Sequence, residues 1–388
     1  MKFLFVVQGE GRGHLTQAIT LERLLTRRGH EVVEVLVGKS KHRKLPAFFS
    51  RQIKAPVKRF ESPNFLPTPA NCKNNLTSSV FYNLTRLRKF GQSIRFLRWR
   101  IDESGADVVV NFYELLTGLT YLLCPPRAGQ VCIGHQYLFL HPDFEFPKVS
   151  RMQLRLLKLF TRATAIGAQR LLALSFRYMP DNEERRLYVV PPLLREEVLR
   201  QTPTRGNYIL GYMVNAGFAV QVDKWHTRKP QTELRFFWDR RGEKKMKRVD
   251  RTLSYHQPDD HLFIKEMAGC KAYATTAGFE SVCEAMYMGK PVLMVPAHIE
   301  QECNAYDAMR TGAGIVSQDF AMDRLEAFGT AFKPNRNFMF WAQDTDVLVD
   351  KLVCPPEYSA EGLYAARFLH LCQRRWPTLY RNVRVWVS

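Results

Sequence analysis

The chain has 388 residues, 46% of them hydrophobic and 12% aromatic, with a formal net charge of +20; that length exceeds what one hydrophobic core usually serves, so two domains are expected. No apolar run is long enough to span a bilayer, the opening "FLFVV" is too short for a signal-peptide core, and the eight cysteines form neither a C-x-x-C pair nor a Cys/His cluster at zinc spacing. This argues against a spanning segment, a disulfide framework and a zinc site, and the expected setting is cytoplasmic. Residues 1–200 hold 32 Lys and Arg against 16 Asp and Glu, a net of +16, so the positive charge belongs to the first half and points to phosphates: nucleic acid, an anionic membrane or phosphorylated substrates.

"KFLFVV" reads as a buried strand. "LTQAITLERLLTRRG" follows as an amphipathic helix, with Leu15, Ile19, Leu21, Leu24 and Leu25 apolar and Gly29 at its end. "HEVVEVLVG", "ADVVVNFY" and "GQVCIGHQ" read as further strands bounded by turn residues. The proline-rich stretch 189–207 reads as a hinge. Beyond it, "YILGYMV", "ELRFFWD", "KAYATT" and "PVLMVP" are strands; "AVQVDKWHTRKP", "DDHLFIKEMAGC" and "ESVCEAMYMG" are helices. "GEKKMKRVDR" reads as a solvated loop and residues 361–376 as a helix. Strand–helix alternation implies parallel sheets covered on both faces, here in two doubly wound halves.

Two glycine-rich turns follow strand ends. The first, "QGEGRGHLTQ" (8–17), places Gly11, Arg12 and Gly13 before His14. It gives G-x-G, but His14 stands where a dinucleotide fingerprint wants its third glycine. No acidic residue ends the second strand, so a nicotinamide oxidoreductase is disfavoured. The second, "TAGFESVCEAMYMGKPVLMVPAHIEQ" (276–301), is strand, glycine turn, helix N-terminus. Backbone N–H groups and the helix dipole there suit a diphosphate. Ser281 can add a hydroxyl, Glu284 can accept from a vicinal diol, and Glu300 with Gln301 can grip sugar hydroxyls. The place lies outside the carboxyl ends of parallel strands, where open α/β sheets bind ligands.

The spacing of this second stretch resembles the donor-binding signature of UDP-glycosyltransferases: Gly-Trp-Asn-Ser, then Glu, Gly, Pro, Pro, and Asp/Glu-Gln. Gly278, Phe279, Ser281, Glu284, Gly289, Pro291, Pro296, Glu300 and Gln301 match in type and interval. "RGHLTQAITLERLLTRRGHEVVEVLVG" is similar to the family's Gly-His loop, first helix and second strand, and to the glycine-rich loop of the family 28 enzyme that makes lipid II. Between these ends the resemblance is architectural.

The resemblance implies an α/β fold of GT-B type, two Rossmann-like domains facing a cleft. Residues 1–200 would bind acceptor and 201–388, including a C-terminal helix, the nucleotide-sugar. It implies inverting transfer from a nucleotide-sugar, UDP-linked by preference, to a hydroxyl acceptor such as a lipid-linked or envelope glycan. Glu284 would hold ribose, Ser281 and the backbone near Gly278 the diphosphate, Glu300 and Gln301 the sugar. Asn215 and Gly217 occupy the first loop of the second domain, a further place for phosphate. His14 matches the general base. No D-x-D stands at a strand end, so neither metal nor other cofactor is expected, the nucleotide-sugar being a co-substrate.

The chain departs from the pattern twice. Thr276 stands where the signature begins with His or Arg, leaving Arg12 as the candidate phosphate cation. Asn111 stands where many members place the Asp that orients the base, leaving Glu114 as the candidate substitute. His135 is a weaker cleft candidate, Tyr255 or His256 candidates to stack on uracil, and His226 reads as a surface residue. Two runs, 81–101 and 151–162, mix Arg and Lys with large apolar residues, as helices that lie on an anionic membrane do. A nucleotide-sugar epimerase on the same fold is one alternative. Another is a non-enzymatic binder of nucleic acid or other polyanions; no nucleic-acid recognition module is visible, so none is expected as partner.

Overall fold

A computed structural model describes residues 1–39, 45–63, 87–240 and 242–353. The first sheet comprises β1 (Lys2–Gln8), β2 (Glu31–Lys39), β3 (Val57–Glu61), β4 (Val108–Phe112), β5 (Gly129–Gly134), β6 (Ala168–Leu174) and β7 (Leu187–Val190). It is parallel throughout, in the order β3-β2-β1-β4-β5-β6-β7. The second comprises β8 (Tyr208–Met213), β9 (Glu233–Trp238), β10 (Met246–Arg248), β11 (Leu253–His256), β12 (Ala272–Thr275), β13 (Val292–Met294) and β14 (Gly314–Val316). Its order is β10-β11-β9-β8-β12-β13-β14, parallel except for β10. Phe3 to Val7 are fully buried, as a strand covered on both faces requires.

On the first sheet lie α1 (Arg12–Arg27), α2 (Ala47–Gln52), α3 (Leu87–Glu103), α4 (Leu115–Leu123) and α5 (Arg151–Thr164). The connector carries a single turn, α6 (Glu196–Leu199), and its Leu193, Leu194 and Val198 are buried. The second sheet carries α7 (Ala219–Arg228), α8 (Asp260–Gly269), α9 (Phe279–Tyr287), α10 (Ile299–Arg310) and α11 (Met322–Ala331). Then come α12 (Arg336–Gln343) and α13 (Thr345–Val353), which return to the first sheet. Trp341 Nε1 donates to the Ser175 carbonyl at 3.0 Å, Lys351 pairs with Asp181 at 2.6 Å, and Arg28 pairs with Asp346. The helix expected at 361–376 lies outside the described residues.

Strand order reverses direction between β1 and β4 in one sheet and between β8 and β12 in the other, which opens a crevice at the strand ends. Two non-glycine residues with left-handed backbone stand beside these switch points. Tyr113 (φ 61°) follows β4 and Ala277 (φ 62°) follows β12. Each costs about 1–3 kcal/mol that surrounding packing must offset, and such residues cluster at ligand sites.

Candidate active site

Between the domains lies a cavity of about 200 Å³. Its first-domain wall is Arg12, Gly13 and Thr16 at the start of α1. Its second-domain wall includes Thr276, Gly278, Glu280, Ser281 and Glu284 around the start of α9, with Gln301 from α10. Tyr212, Phe237 and Phe263 form an aromatic side, with Phe237 and Phe263 edge to face at 5.2 Å. Gly278 is the N-cap of α9 and makes no side-chain cap bond, and it lines this space with Glu280 and Ser281 of the first turn.

Three guanidinium–carboxylate contacts close one end. Arg195 grips Glu284 through two bonds of 2.6 and 2.7 Å, lies 3.6 Å from Asp260, and is nearly buried. Arg12 reaches Asp260 at 2.8 Å and lies over the Phe48 ring at 4.5 Å. Behind Gly13 sits His14, 8% exposed and stacked on Tyr113. Its Nδ1 lies 3.1 Å from Gln17 Oε1, and its Nε2 lies 3.4 Å from the Gln136 amide nitrogen. Gln136 also donates to Glu300 at 2.9 Å. Burial lowers the His14 pKa, opposed by Gln17 and by the charge of Glu300. The ring is therefore neutral at pH 7 and able to accept a proton.

The family profile described as glycosyl transferase family 1 matches residues 1–332. The chain belongs to glycosyl transferase family 1. No curated protein matches it in sequence. Among solved structures, the glycotransferase of kitacinnamycin is similar at 16% identity and TM-score 0.59, over 90% of this chain and 98% of that one. UGT89C1 of Arabidopsis thaliana, complexed with quercetin, is similar at 15% identity and TM-score 0.57, over 95% and 98%. The calicheamicin glycosyltransferase CalG4 follows at 14% and 0.53, over 96% and 98%. At such identities these likenesses show the fold, which is GT-B.

In this glycosyltransferase the residues read from the signature gather at the cleft in unequal ways. Arg12, Gly13, Thr276, Gly278, Ser281, Glu284 and Gln301 line the cavity. A Cβ at Gly13 would stand 2.5 Å from Glu280 Oε2, so a side chain there would displace that carboxylate; Gly11 has open space around it. Thr276 accepts from the Val214 N–H at 3.2 Å, Ser281 donates to the Gly278 carbonyl at 3.2 Å, and Gln301 accepts from the Ala297 N–H at 2.9 Å. Glu284, expected free for a diol, is engaged by Arg195. Phe279 is core, stacked on His135 at 4.1 Å; His135 is itself held by the Leu174 carbonyl and Asn304. Asn215 and Gly217 are half-buried beside β8 and outside the cavity wall.

Other expectations are corrected. Glu114 does not orient His14. It caps α4 through the Leu116 N–H at 3.1 Å and takes the Ser62 hydroxyl at 2.5 Å, while burial pushes it up to about 7. Asn111 staples the same turn, bonding the Glu114 N–H and the Thr164 carbonyl. Tyr255 points inward, stacked on Trp238 and bonded to Asp223 at 2.6 Å; His256 lies on Phe237. His226 is buried against Asp250. The unforeseen site residues are Gln17, Gln136, Arg195 and Glu280. Gln17 had a usable signal, lying one helical turn beyond His14 on the same face.

Proposed function

We propose that this glycosyltransferase moves a sugar from a UDP-linked donor to a hydroxyl by direct displacement, with inversion and without a metal ion, and that the acceptor is lipid-linked or an envelope glycan. The carrying observation is the juxtaposition in one cleft of an uncapped helix N-terminus, two guanidiniums and a buried neutral imidazole from the facing domain. The diphosphate goes to the start of α9, with Arg12 and Arg195 replacing the cation that Thr276 cannot supply. Ribose takes Glu284 as Arg195 turns from it, the base lies along Phe237 and Phe263, and Glu300 with Gln301 takes the sugar. Asn215 and Gly217 remain candidates for a further phosphate contact. His14 Nε2 accepts the acceptor's hydroxyl proton as the new oxygen–carbon bond forms at the anomeric carbon. The bond from that carbon to the diphosphate oxygen breaks, and UDP leaves with the electron pair. UGT89C1, a structural neighbour, is known in complex with UDP and with UDP-L-rhamnose, which supports the nucleotide assignment.

Thermal denaturation with a nucleotide panel tests this reading. UDP and UDP-sugars are expected to raise the midpoint, by mass action on the folded state, more than ADP, GDP or dTDP at equal concentration. Stabilisation by another nucleotide and none by UDP overturns the donor assignment.

A lipid-linked acceptor fits one surface. On α5, Met152, Leu156 and Leu159 are 64%, 40% and 43% exposed and share a helix face, flanked by exposed Arg151, Arg155 and Arg162. That pairing suits an anionic bilayer, with apolar residues below and guanidiniums at headgroup level. Among the described residues no helix is long and apolar enough to cross a membrane. The protein is expected to co-sediment with phosphatidylglycerol vesicles and to lose that binding when Met152, Leu156 and Leu159 are all changed to Ser. Equal binding to neutral vesicles, or none to either, removes this surface from the proposal.

A further inference from the structure

An imidazole that works as a base through Nε2 needs a partner at Nδ1 that fixes the tautomer and stabilises the imidazolium as it forms. In the first domain the expected positions are committed elsewhere, Asn111 to the β4–α4 turn and Glu114 to capping α4. His14 Nδ1 instead faces Gln17 Oε1 at 3.1 Å, and Gln17 Nε2 donates to Glu280 Oε1 at 2.5 Å. An ionised carboxylate only accepts. It therefore fixes the amide nitrogen of Gln17 toward itself and the amide oxygen toward the ring, and that oxygen in turn fixes the proton on Nδ1. The chain of donors and acceptors has one direction throughout, and the lone pair is left on Nε2.

We infer that Glu280 is the positioning carboxylate of His14, acting through Gln17 from the opposite domain; the inference rests on the reading of His14 as the base. Its consequence is that the base is complete only when the two domains are in register. Gly13 leaves room for the approach, since a Cβ there would push the Glu280 carboxylate from this position. The other charged groups facing Glu280 are Glu284, on its own helix, and Glu300 on α10, both of which disfavour its charge; Arg12 and Arg195 are engaged by Asp260 and Glu284. Burial and these neighbours push Glu280 up to about 7. As pH falls through that value the carboxylate takes a proton and its support for His14 is lost, before the ring with its lowered pKa is protonated.

The test reads the imidazole itself, by ¹⁵N–histidine NMR titration of the whole protein, with His14→Gln to assign the signal. In the wild type the Nδ1–H tautomer is expected. In Glu280→Gln and in Gln17→Leu the tautomer preference, read above pH 7 where Glu280 is ionised, is expected to weaken, and in Gln17→Leu the His14 titration midpoint is expected to fall with loss of the Gln17 hydrogen bond. In transfer assays both variants should lose kcat about 10-fold or more, part of the roughly 10²–10⁴ that a positioned base supplies, with UDP affinity by calorimetry held within about twofold in Gln17→Leu, whose residue lies outside the cavity wall. The acid limb of kcat/KM should move to lower pH in Glu280→Gln. An unchanged His14 tautomer and titration in both variants overturns the relay. A shift in Glu280→Gln with none in Gln17→Leu overturns the path through the amide. Because the titration is read without substrate, a wild type that binds no UDP counts against the donor reading alone.

Discussion

His14→Ala is expected to lower kcat by about 10²–10⁴-fold while UDP binds as before. The ring lies behind Gly13, outside the wall of the cavity assigned to donor, so its removal should leave donor contacts intact. Gln136 covers Nε2 at 3.4 Å, and an acceptor hydroxyl has to displace that amide to reach the lone pair. Gln136→Ala should therefore change the acceptor KM more than kcat. The sign of the pH effect follows from the lowered pKa of His14. The base is neutral through pH 7 and above, and activity dependent on the ring's protonation falls only below the ordinary imidazole value. His14→Gln keeps much of the volume against Tyr113 and separates chemistry from packing. A His14→Gln enzyme with wild-type kcat would make this residue a binding group and end its role as base.

Much of this fold is legible in the chain because its strands are buried on both faces. "FLFVV" and "VLM" are unbroken apolar runs and "VVVNF" is interrupted only by Asn111, as strands covered on both faces require. Elements outside that condition escape. β10, three exposed residues "MKR" pairing antiparallel at a sheet edge, carries no apolar pattern and reads as the charged loop around it. The donor signature is legible because it is local, with turn, helix and next strand within 26 residues of sequence. What the signature's residues touch is not local. Arg195 meets Glu284 across 89 positions, and Gln17 meets Glu280 across 263. A carboxylate that reads as free for ribose is thus engaged, and one that reads as an ordinary first-turn Glu bonds Gln17 beside His14. Side-chain direction in β11 is a similar case. The alternation that buries Leu253 and Tyr255 turns the tyrosine away from the cleft, and only the register with β9 decides which set faces inward.

Arg195→Met is the second large expected effect, and it acts on stability and on binding in ways that can be separated. Removing one partner from a buried ion pair leaves an uncompensated charge, at about 3–5 kcal/mol. Glu284 would lose both short bonds, and Asp260 would keep only Arg12. The unfolding midpoint in denaturant should fall accordingly. Restoring an apolar pair, Arg195→Met with Glu284→Leu, should recover most of that loss, because two well-packed hydrophobic side chains replace a desolvated pair at little net cost. UDP affinity should follow a different course. If Arg195 turns to the diphosphate when nucleotide enters, Arg195→Met loses a charge-assisted contact and affinity falls about tenfold or more, with a shallower dependence on salt. If Arg195 only competes with ribose for Glu284, the same substitution frees the carboxylate and affinity rises. Calorimetry on Arg195→Met at two salt concentrations decides between a guanidinium that hands over from carboxylate to phosphate and one that merely blocks the site. The geometry favours the former, since Arg195 lines the same cavity as Arg12 and the start of α9, the place proposed for the diphosphate, where Thr276 stands instead of the cation that the resemblance implies.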